Sequence, residues 1–431
     1  MKTLRQLGNQ WVLWTMAVVL ACSSNALAQQ SYKVTDLGHL YNWNLGCAMG
    51  LNAHGWTEIM EGNLVAGEED SATGKLLIGR AAVDIEGTKL DLGTLGGKNS
   101  WTNYGGINNL GQAVGYAETN VPDPNGEDIC GFGTGLTCRP FLWQVGRMTA
   151  LPTLGGNNGQ ASAINNHGQV AGWAENTIVD PTCPPAPYPP NRITKGVVWE
   201  KGNAQALPPL GSDPDTAAFG INDRGEAVGY SGTCTSANHA VIWKNGIPTP
   251  LPDLGVPGAS EAFAISDSGM IIGIVASPNG QTYYAAIWDS HNTHQITNLG
   301  TLPGDVNSLG EGINNRGQAV GSTLNSSGNW SHAFLWQNGT MIDLNTLFPA
   351  SSNLYATMAN QINDEGQVSG MAVVLSGPHA GEVHAFLATP VDESIDQSMA
   401  DAVSARPDFA VPANPDKRLA PRIVGRGQSV R

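Results

Sequence analysis

Three carboxylates recur at one repeated position of the chain and could carry acid–base or cation-binding chemistry. Asp70, Glu118 and Glu175 each lie three residues after the glycine that closes a short apolar segment. Carboxylates gathered on one face of a fold could bind a cation or act as general acid and base. We keep this trio as a ligand-binding candidate and assign no catalytic residue.

A second observation favours a structural role for the trio. A full cation opens the next apolar segment only in those repeats that carry the acid. Opposite charges that face each other across a hairpin stabilise it, which explains the coincidence better than catalysis does. The predicted ion pairs are Asp70 with Arg80, Glu118 with Arg139, and Glu175 with Lys195.

Other candidate ligands are weaker. The loop from Asp123 to Asp128 is acidic and contains a glycine, but it lacks the ligand spacing and the closing glutamate of a Ca²⁺-binding EF-hand. His239, His332 and His384 occupy equivalent positions in different repeats, so we interpret them as hairpin-end residues. We predict no metal site and no cofactor, with Ca²⁺ as the open alternative.

The cysteine spacings match no zinc-binding pattern and favour disulfides. Cys130 and Cys138 flank a glycine-rich loop and are predicted to pair. Cys183 and Cys234 are predicted to lie on adjacent loops and to form a second disulfide. Cys47, placed in a loop on the same face, would then be left over.

A repeat dominates the chain. An Ile-Asn-x-x-Gly turn, an apolar segment that ends in Trp and an Asp-Leu-Gly-like segment each recur seven times. A period of about 50 residues indicates a stacked or circular array of structural units. The recurring Trp residues are interpreted as packing between units rather than as a sugar-binding array. The second position of the turn holds, in order, Asn52, Asn108, Asn165, Asn222, Ser266, Asn314 and Asn363.

Each unit contains four short β segments separated by tight turns. In the sixth unit the predicted strands are 308–313, 318–323, 332–337 and 340–344. Segment 32–37 resembles a fourth strand and 384–387 a third strand, so one blade would be closed by both ends of the chain. We therefore predict an all-β, seven-bladed β-propeller with four antiparallel strands per blade and the last blade closed by the N-terminal strand. A β-solenoid is the alternative.

Three motifs carry a resemblance to a known family. They are Ser331-His-Ala-Phe-Leu-Trp-Gln-Asn-Gly339, the Leu-Gly-Thr-Leu-Gly-Gly segment at 92–97, and the Ile-Asn-x-x-Gly-Gln turns. Together they resemble the HAF-repeat family of probable extracellular proteins over residues 32–390. The resemblance implies a repeat unit and an extracellular location, and it implies no activity.

Charge and the N-terminal residues bear on the compartment. A formal net charge of −15 argues against nucleic acid as a partner. Residues 1–28 have the cationic start, apolar stretch and small-x-small end of a signal peptide cleaved after Ala28. Lipid anchoring through Cys22 is the alternative. Residues 29–390 form the predicted repeat domain and 391–431 a flexible tail, and no later apolar run is long enough to span a membrane.

The longest predicted loops lie in the second and third units, at 118–139 and 175–195. Loops held by a rigid scaffold are where recognition is usually found. We therefore predict a secreted or surface-associated propeller that binds a protein or polysaccharide of the envelope or exterior through its loop face, without catalysis. The alternatives are a propeller-type polysaccharide lyase or hydrolase, and an envelope scaffold.

Overall fold

A computed structural model describes residues 30–41, 43–64, 76–183, 192–234, 236–255 and 259–391. The predictions for the signal peptide, Ala28, Cys22 and the tail beyond Val391 fall outside these residues. Within this part of the chain the fold is all-β, with one 3₁₀ turn at Leu344–Leu347. No helix in the same part is long and apolar enough to cross a membrane.

Twenty of the strands form five sheets of four antiparallel strands in chain order. The first two sheets are β6 (Gly96–Ile107), β7 (Ala113–Pro122), β8 (Leu136–Gln144), β9 (Arg147–Ala150), and β10 (Gly155–Ile164), β11 (Val170–Val179), β12 (Arg192–Glu200), β13 (Asn203–Ala206). The next three are β14 (Asp215–Ile221), β15 (Ala227–Thr233), β16 (Ser236–Lys244), β17 (Ile247–Pro250); β18 (Ser260–Ile265), β19 (Met270–Ala276), β20 (Tyr283–Asp289), β21 (Asn292–Asn298); and β22 (Asn307–Ile313), β23 (Ala319–Leu324), β24 (Trp330–Gln337), β25 (Thr340–Asp343).

The two ends of the described chain meet in one larger, mixed sheet of eight strands. As the sequence predicts, the N-terminal strand pairs antiparallel with the C-terminal one, from Ser31 opposite Val391 to Gly38 opposite Ala385. A single parallel bridge, Leu45 to Val383, joins the two halves of this sheet. Its strands are β1 (Ser31–Gly38), β2 (Leu45–Leu51), β3 (Thr57–Leu64), β4 (Leu76–Ile85), β5 (Thr88–Asp91), β26 (Leu354–Ile362), β27 (Val368–Val374) and β28 (Val383–Val391).

The sheets close into a ring around their first strands. Strands β2, β6, β10, β14, β18, β22 and β26 contact one another in that order, and β26 returns to β2. Their inward side chains, among them Met49, Phe263, Leu309 and Met358, form one buried cluster. Four-stranded antiparallel sheets placed radially around a shared centre make a β-propeller.

A ring of asparagine side chains joins the turns that follow the first strands. The Asn165 amide donates to the backbone carbonyl of Asn222, the equivalent residue of the next sheet, at 2.9 Å. Its Oδ1 accepts the backbone N–H groups of His167 and Gln169. The same donation runs from Asn52 to Asn108, Asn108 to Asn165, Asn222 to Ser266, Asn314 to Asn363, and Asn363 to Asn52. Only Ser266 lacks the amide that would extend the series to Asn314.

Four of the five recurring tryptophans are buried between sheets, as the sequence predicts, and Trp336 is half-buried. Trp199, Trp243 and Trp288 are each about 1% exposed. Their indole N–H groups donate to the carbonyls of Pro152, Pro208 and Pro252, which lie in the links that enter the respective sheets. Burying the ring while its N–H is satisfied fixes each third strand against the preceding sheet.

Replacing Asn165 with alanine should lower the free energy of unfolding by about 2–4 kcal/mol, because a buried carbonyl and two N–H groups lose their partner. The matched control is Asn166→Ala, whose side chain is less buried and whose equivalent in the first repeat is already alanine, Ala53. Denaturant titration of both variants measures the difference. Equal losses of unfolding free energy in Asn165→Ala and Asn166→Ala would show that the hydrogen bonds of the asparagine ring add no extra stability.

Val145 occupies a backbone conformation that suits asparagine better. Its φ is 50° in the turn between β8 and β9, and the side chain is 98% exposed. A β-branched residue is disfavoured there by about 1–2 kcal/mol. Val145→Asn should therefore stabilise the protein by about 1 kcal/mol, and Asn338→Val, at φ 52° in an equivalent turn, should destabilise it by a similar amount. Denaturation midpoints that move the same way in both variants would contradict this account.

Candidate functional site

The propeller has two different faces. The tight turns after the first and third strands emerge on the turn face, while the links between sheets and those between second and third strands emerge on the loop face. On the loop face β7 and β11 are each ten residues long, whereas β15 and β19 have seven. The β7–β8 and β11–β12 hairpins of two neighbouring sheets therefore extend further than the equivalent hairpins of the two sheets that follow.

Two disulfides hold these extended hairpins, as predicted. Cys130 of the β7–β8 link pairs with Cys138 of β8, and Cys183 pairs with Cys234. The second disulfide joins the β11–β12 link to the β15–β16 link of the next sheet. Cys47, in contrast, was placed in a loop by sequence and lies buried in the inner strand β2, where the Asn360 amide donates to its sulfur at 3.1 Å.

The predicted ion pairs are wrong for two of the three acids. Residues directly opposite each other in an antiparallel pair point to the same side of the sheet. Glu118 is opposite Cys138, and Arg139 is opposite Ala117, so the two charges point to different sides. Glu175 is likewise opposite Thr194 and not Lys195. Asp70 lies outside the described residues, and Arg80 contacts Asp91 at 3.6 Å.

Each of the two described acids instead contacts an asparagine of the first strand. The Glu118 carboxylate accepts from the Asn99 amide at 2.8 Å and from the Thr134 hydroxyl. The Lys195 ammonium donates to the carbonyl of Pro214. The carboxylates of Glu118 and Glu175 are fully buried, so each holds its hairpin to the inner strand rather than presenting charge to solvent.

The structure brings Asp123 and Glu175 together and adds an acid that sequence analysis missed. The Asn158 amide nitrogen lies 2.8 Å from Asp123 Oδ2, 3.2 Å from Glu127 Oε2 and 3.1 Å from Glu175 Oε2. All three carboxylates are buried. Asp128 is exposed, and its carboxylate accepts the N–H of Gly133. Oxygen-rich clusters of this kind can bind hard cations such as Ca²⁺. The sequence signal that could have identified Glu127 as a member of the cluster is its spacing of four residues from Asp123.

A second buried acid pair lies beside the disulfide between sheets. Burial, together with a hydrogen bond with Asp180, raises the pKa of Asp215 to about 7. The backbone N–H of Thr194 also donates to Asp215, at 2.7 Å. Asp180 and Asp215 therefore form a buried, hydrogen-bonded carboxyl pair. Both are about 3% exposed, so a polymeric substrate cannot reach them.

The inner strands are more polar than the sequence suggests. Two acidic side chains, Glu261 and Glu311, are buried in β18 and β22. Burial raises the pKa of each to about 8. The Tyr104 hydroxyl lies beside Glu311 and partly offsets that rise. Tyr104 reaches the centre because β6 carries a two-residue insertion between Thr102 and Ile107 relative to the other first strands.

A shallow cavity of about 210 Å³ opens at the centre of the turn face. The asparagine ring surrounds it, and Tyr104, Phe219 and Phe263 lie at its base. The rim carboxylates of Asp223 and Asp364 accept backbone N–H groups from the neighbouring turns. Small-molecule sites usually exceed roughly 300 Å³, so this cavity is smaller than a usual small-molecule site.

The tips of the extended hairpins expose aliphatic side chains. Val121 of β7 is 54% exposed, and Ile178 and Val179 of β11 are 57% and 53% exposed. Val121 and Ile178 occupy equivalent positions in neighbouring sheets. We call these three residues the aliphatic tips. They stand above the disulfide-held loops on the loop face.

Comparisons with known proteins give remote similarities only. No family model and no curated protein matches the chain. A prolyl endopeptidase structure matches at 12% identity and TM-score 0.45 over 85% of this chain and 51% of its own, so the chain spans about half of that protein. A gluconolactonase from Xanthomonas campestris matches at 11% identity and TM-score 0.36, over 85% of this chain and 93% of its own. The propeller domain of the trilobed protease from Pyrococcus furiosus matches at 13% identity and TM-score 0.41, over 69% and 81%. None of these similarities bears on function.

The buried acid Glu311 should make stability depend on pH. Its folded pKa of about 8 lies above the ordinary 4.5, so the folded state holds a proton that the unfolded state releases. Stability from this group is complete below pH 4.5 and is lost as the pH rises towards 8, at about 1.4 kcal/mol per pH unit. Glu311→Gln should remove this slope, which denaturation at pH 5 and pH 7.5 will show. If the pH dependence of the unfolding free energy is the same in Glu311→Gln as in the wild type, Glu311 is not a source of that dependence.

Proposed function

We propose that this chain is an exported β-propeller that binds a protein partner through its loop face, over the sheets β6–β9 and β10–β13. The observation that carries the proposal is the pair of extended, disulfide-held hairpins with their exposed aliphatic tips. Recognition usually uses loops that a rigid scaffold positions. Holding such loops with disulfides lowers the entropy lost on binding.

The chemistry of the tips favours a protein over a polysaccharide. Sugar rings are usually held by flat aromatic side chains, whereas the tips are Val121, Ile178 and Val179. Aliphatic side chains contribute to binding by burial against another apolar surface. With a formal net charge of −15 on the chain, the partner's surface around the contact should be apolar or basic.

The proposed scaffold has seven blades. Seven first strands contact one another in a closed ring, and the eight-stranded sheet has only the Leu45–Val383 bridge between its halves. We interpret these halves as two blades, one of β2–β5 and one of β26, β27, β28 and β1. The second of these is the blade that both chain ends build.

An oxidising compartment fits this proposal. Both disulfides would persist after export and would be reduced in most cytoplasms. The resemblance to the HAF-repeat family supports an extracellular location, and the small-x-small site after Ala28 supports cleavage of the leader. The catalytic alternative has less support, because the acid pair Asp180 and Asp215 is buried.

Charge placed on the aliphatic tips should abolish partner binding. The variant is Val121→Lys with Ile178→Lys, and the control is Val145→Lys with Ile247→Lys, which alters aliphatic residues of the opposite face that are 98% and 67% exposed. Both variants and the wild type are tested by biolayer interferometry against purified envelope and secreted proteins and against a polysaccharide panel. We expect a saturable protein interaction that weakens at least about 100-fold in the tip variant only, since two desolvated charges oppose it.

The other outcomes each reject a stated part of the proposal. Loss of binding in the control variant alone would place the site on the turn face. Binding that survives in both variants would remove the tips from the contact. Saturable binding of a polysaccharide, with no protein ligand, would show that the proposed class of partner is wrong.

A further inference from the structure

Two histidines and a glutamate converge on the loop face, where the two ends of the described chain meet. His39 follows strand β1, and Glu382 and His384 lie at the start of β28. His384 Nε2 is 3.3 Å from Glu382 Oε2, and His39 Nε2 is 3.9 Å from the same oxygen. One ligand atom from each of the three residues lies within 4.8 Å of the others. None of the three takes part in the proposed protein contact.

The imidazole nitrogens of His39 are buried without a hydrogen-bond partner. Its side chain is 8% exposed, and neither ring nitrogen has a hydrogen-bond partner among the described residues. The ring lies over Gly46, where an added Cβ would come within 3.2 Å of His39 Nδ1. The His384 ring stands edge-on beside it, with 4.4 Å between the ring centroids. A buried imidazole whose nitrogens are unsatisfied costs free energy unless something binds it.

The second histidine is oriented in the way that metal-binding histidines are. His384 Nδ1 lies 2.8 Å from Asp36 Oδ1, so the aspartate accepts the Nδ1 proton and leaves Nε2 directed at Glu382. A carboxylate on the far nitrogen fixes the tautomer and strengthens the near nitrogen as a ligand. Asp36 belongs to β1, so this support comes from the opposite end of the chain.

We propose that His39, Glu382 and His384 form a binding site for a divalent transition-metal ion, with Zn²⁺ as the best match. Two imidazoles and one carboxylate are a common zinc ligand set. Ligand atoms at the usual zinc distances of about 2.0–2.2 Å lie about 3.3 Å apart in a tetrahedron. Two of the three separations, 3.3 Å and 3.9 Å, are close to that spacing, and the third is below 4.8 Å.

A further donor stands on the exposed side of the cluster. His379 Nδ1 is 3.1 Å from Glu382 Oε2, and its side chain is 63% exposed. His379 is not within 4.8 Å of all three ligand atoms, so it would have to move closer to complete the coordination. From sequence, His384 is interpreted as a hairpin-end residue. Its proximity to His39, which has no local sequence signal, depends on the pairing of the first and last strands.

The ion would link the two ends of the ring. His39 is tied to β1 and β2, whereas Glu382 and His384 are tied to β27 and β28. A ligand that binds only the folded state stabilises it, and a site absent from the unfolded chain couples metal binding to folding. Zn²⁺ should therefore raise the melting temperature of the protein, and EDTA should lower it to that of the metal-free form.

The test uses the full chain without a histidine tag, stripped with EDTA and dialysed. Titration calorimetry with Zn²⁺ should show one site per chain, and Co²⁺ should give the visible absorption of a tetrahedral complex. Glu382→Gln and His384→Asn should abolish both signals. The asparagine is chosen because its amide can still donate to Asp36. Asp36→Asn should weaken Zn²⁺ binding about 10- to 100-fold through loss of support for His384.

The matched control is His332→Asn. His332 holds the equivalent position in β24 and lies 2.8 Å from Asp305, but this pair has no second histidine in the same cluster. Zn²⁺ affinity should be unchanged in this variant, and Ca²⁺ should give no heat with the wild type at this site. The proposal is overturned if the wild type binds no Zn²⁺, or if Glu382→Gln and His384→Asn, shown to be folded by circular dichroism, bind it as tightly as His332→Asn does.

Discussion

The fold depends on how the buried carbonyls at the ends of the first strands are satisfied. These strands crowd around a common centre, so the carbonyls that close their turns cannot reach water, and an unsatisfied carbonyl is costly. The asparagine at the second position of each turn meets this need. Asn108, for example, closes its own turn through Oδ1 and donates Nδ2 to the carbonyl of Asn165. One residue type thereby sets both the turn and the distance between neighbouring sheets.

This arrangement leaves the two faces with different freedom to vary. On the turn face, the hydrogen bonds of the asparagine ring fix the spacing between neighbouring turns in most repeats. The links between second and third strands on the loop face lie away from this ring, so they differ in length without disturbing the centre. The extended hairpins β7–β8 and β11–β12 are possible because buried acids secure them to the inner strands. Glu118 binds Asn99 and Glu175 binds Asn158, each at the point where the hairpin leaves the ring.

Sequence reasoning succeeded where the interaction is local or repeated. The turns, the strand order within each unit, the buried tryptophans and both disulfides follow from residue types at a fixed period. Sequence reasoning failed where a shift of one residue in strand register decides which side of the sheet a side chain faces. Arg139 points away from Glu118 because Arg139 is opposite Ala117. It also missed Tyr104 and Glu311 at the centre, since a strand insertion and a bulge set the direction of these side chains. Contacts between distant segments, such as Asp123 with Glu175 or His39 with His384, have no local signal at all.

The seam where the chain ends meet is the point at which the ring is least constrained by chain connectivity. Elsewhere the third and fourth strands of a sheet are joined by a two-residue turn, whereas β28 and β1 are joined by hydrogen bonds alone. Opening any other hairpin leaves its strands tethered, and opening this one releases both ends, so more conformational entropy is gained there. Specific contacts at this seam therefore stabilise the whole ring more than the same contacts would elsewhere. The Tyr32 hydroxyl bond to the carbonyl of Gly366 and the His384–Asp36 contact both cross it.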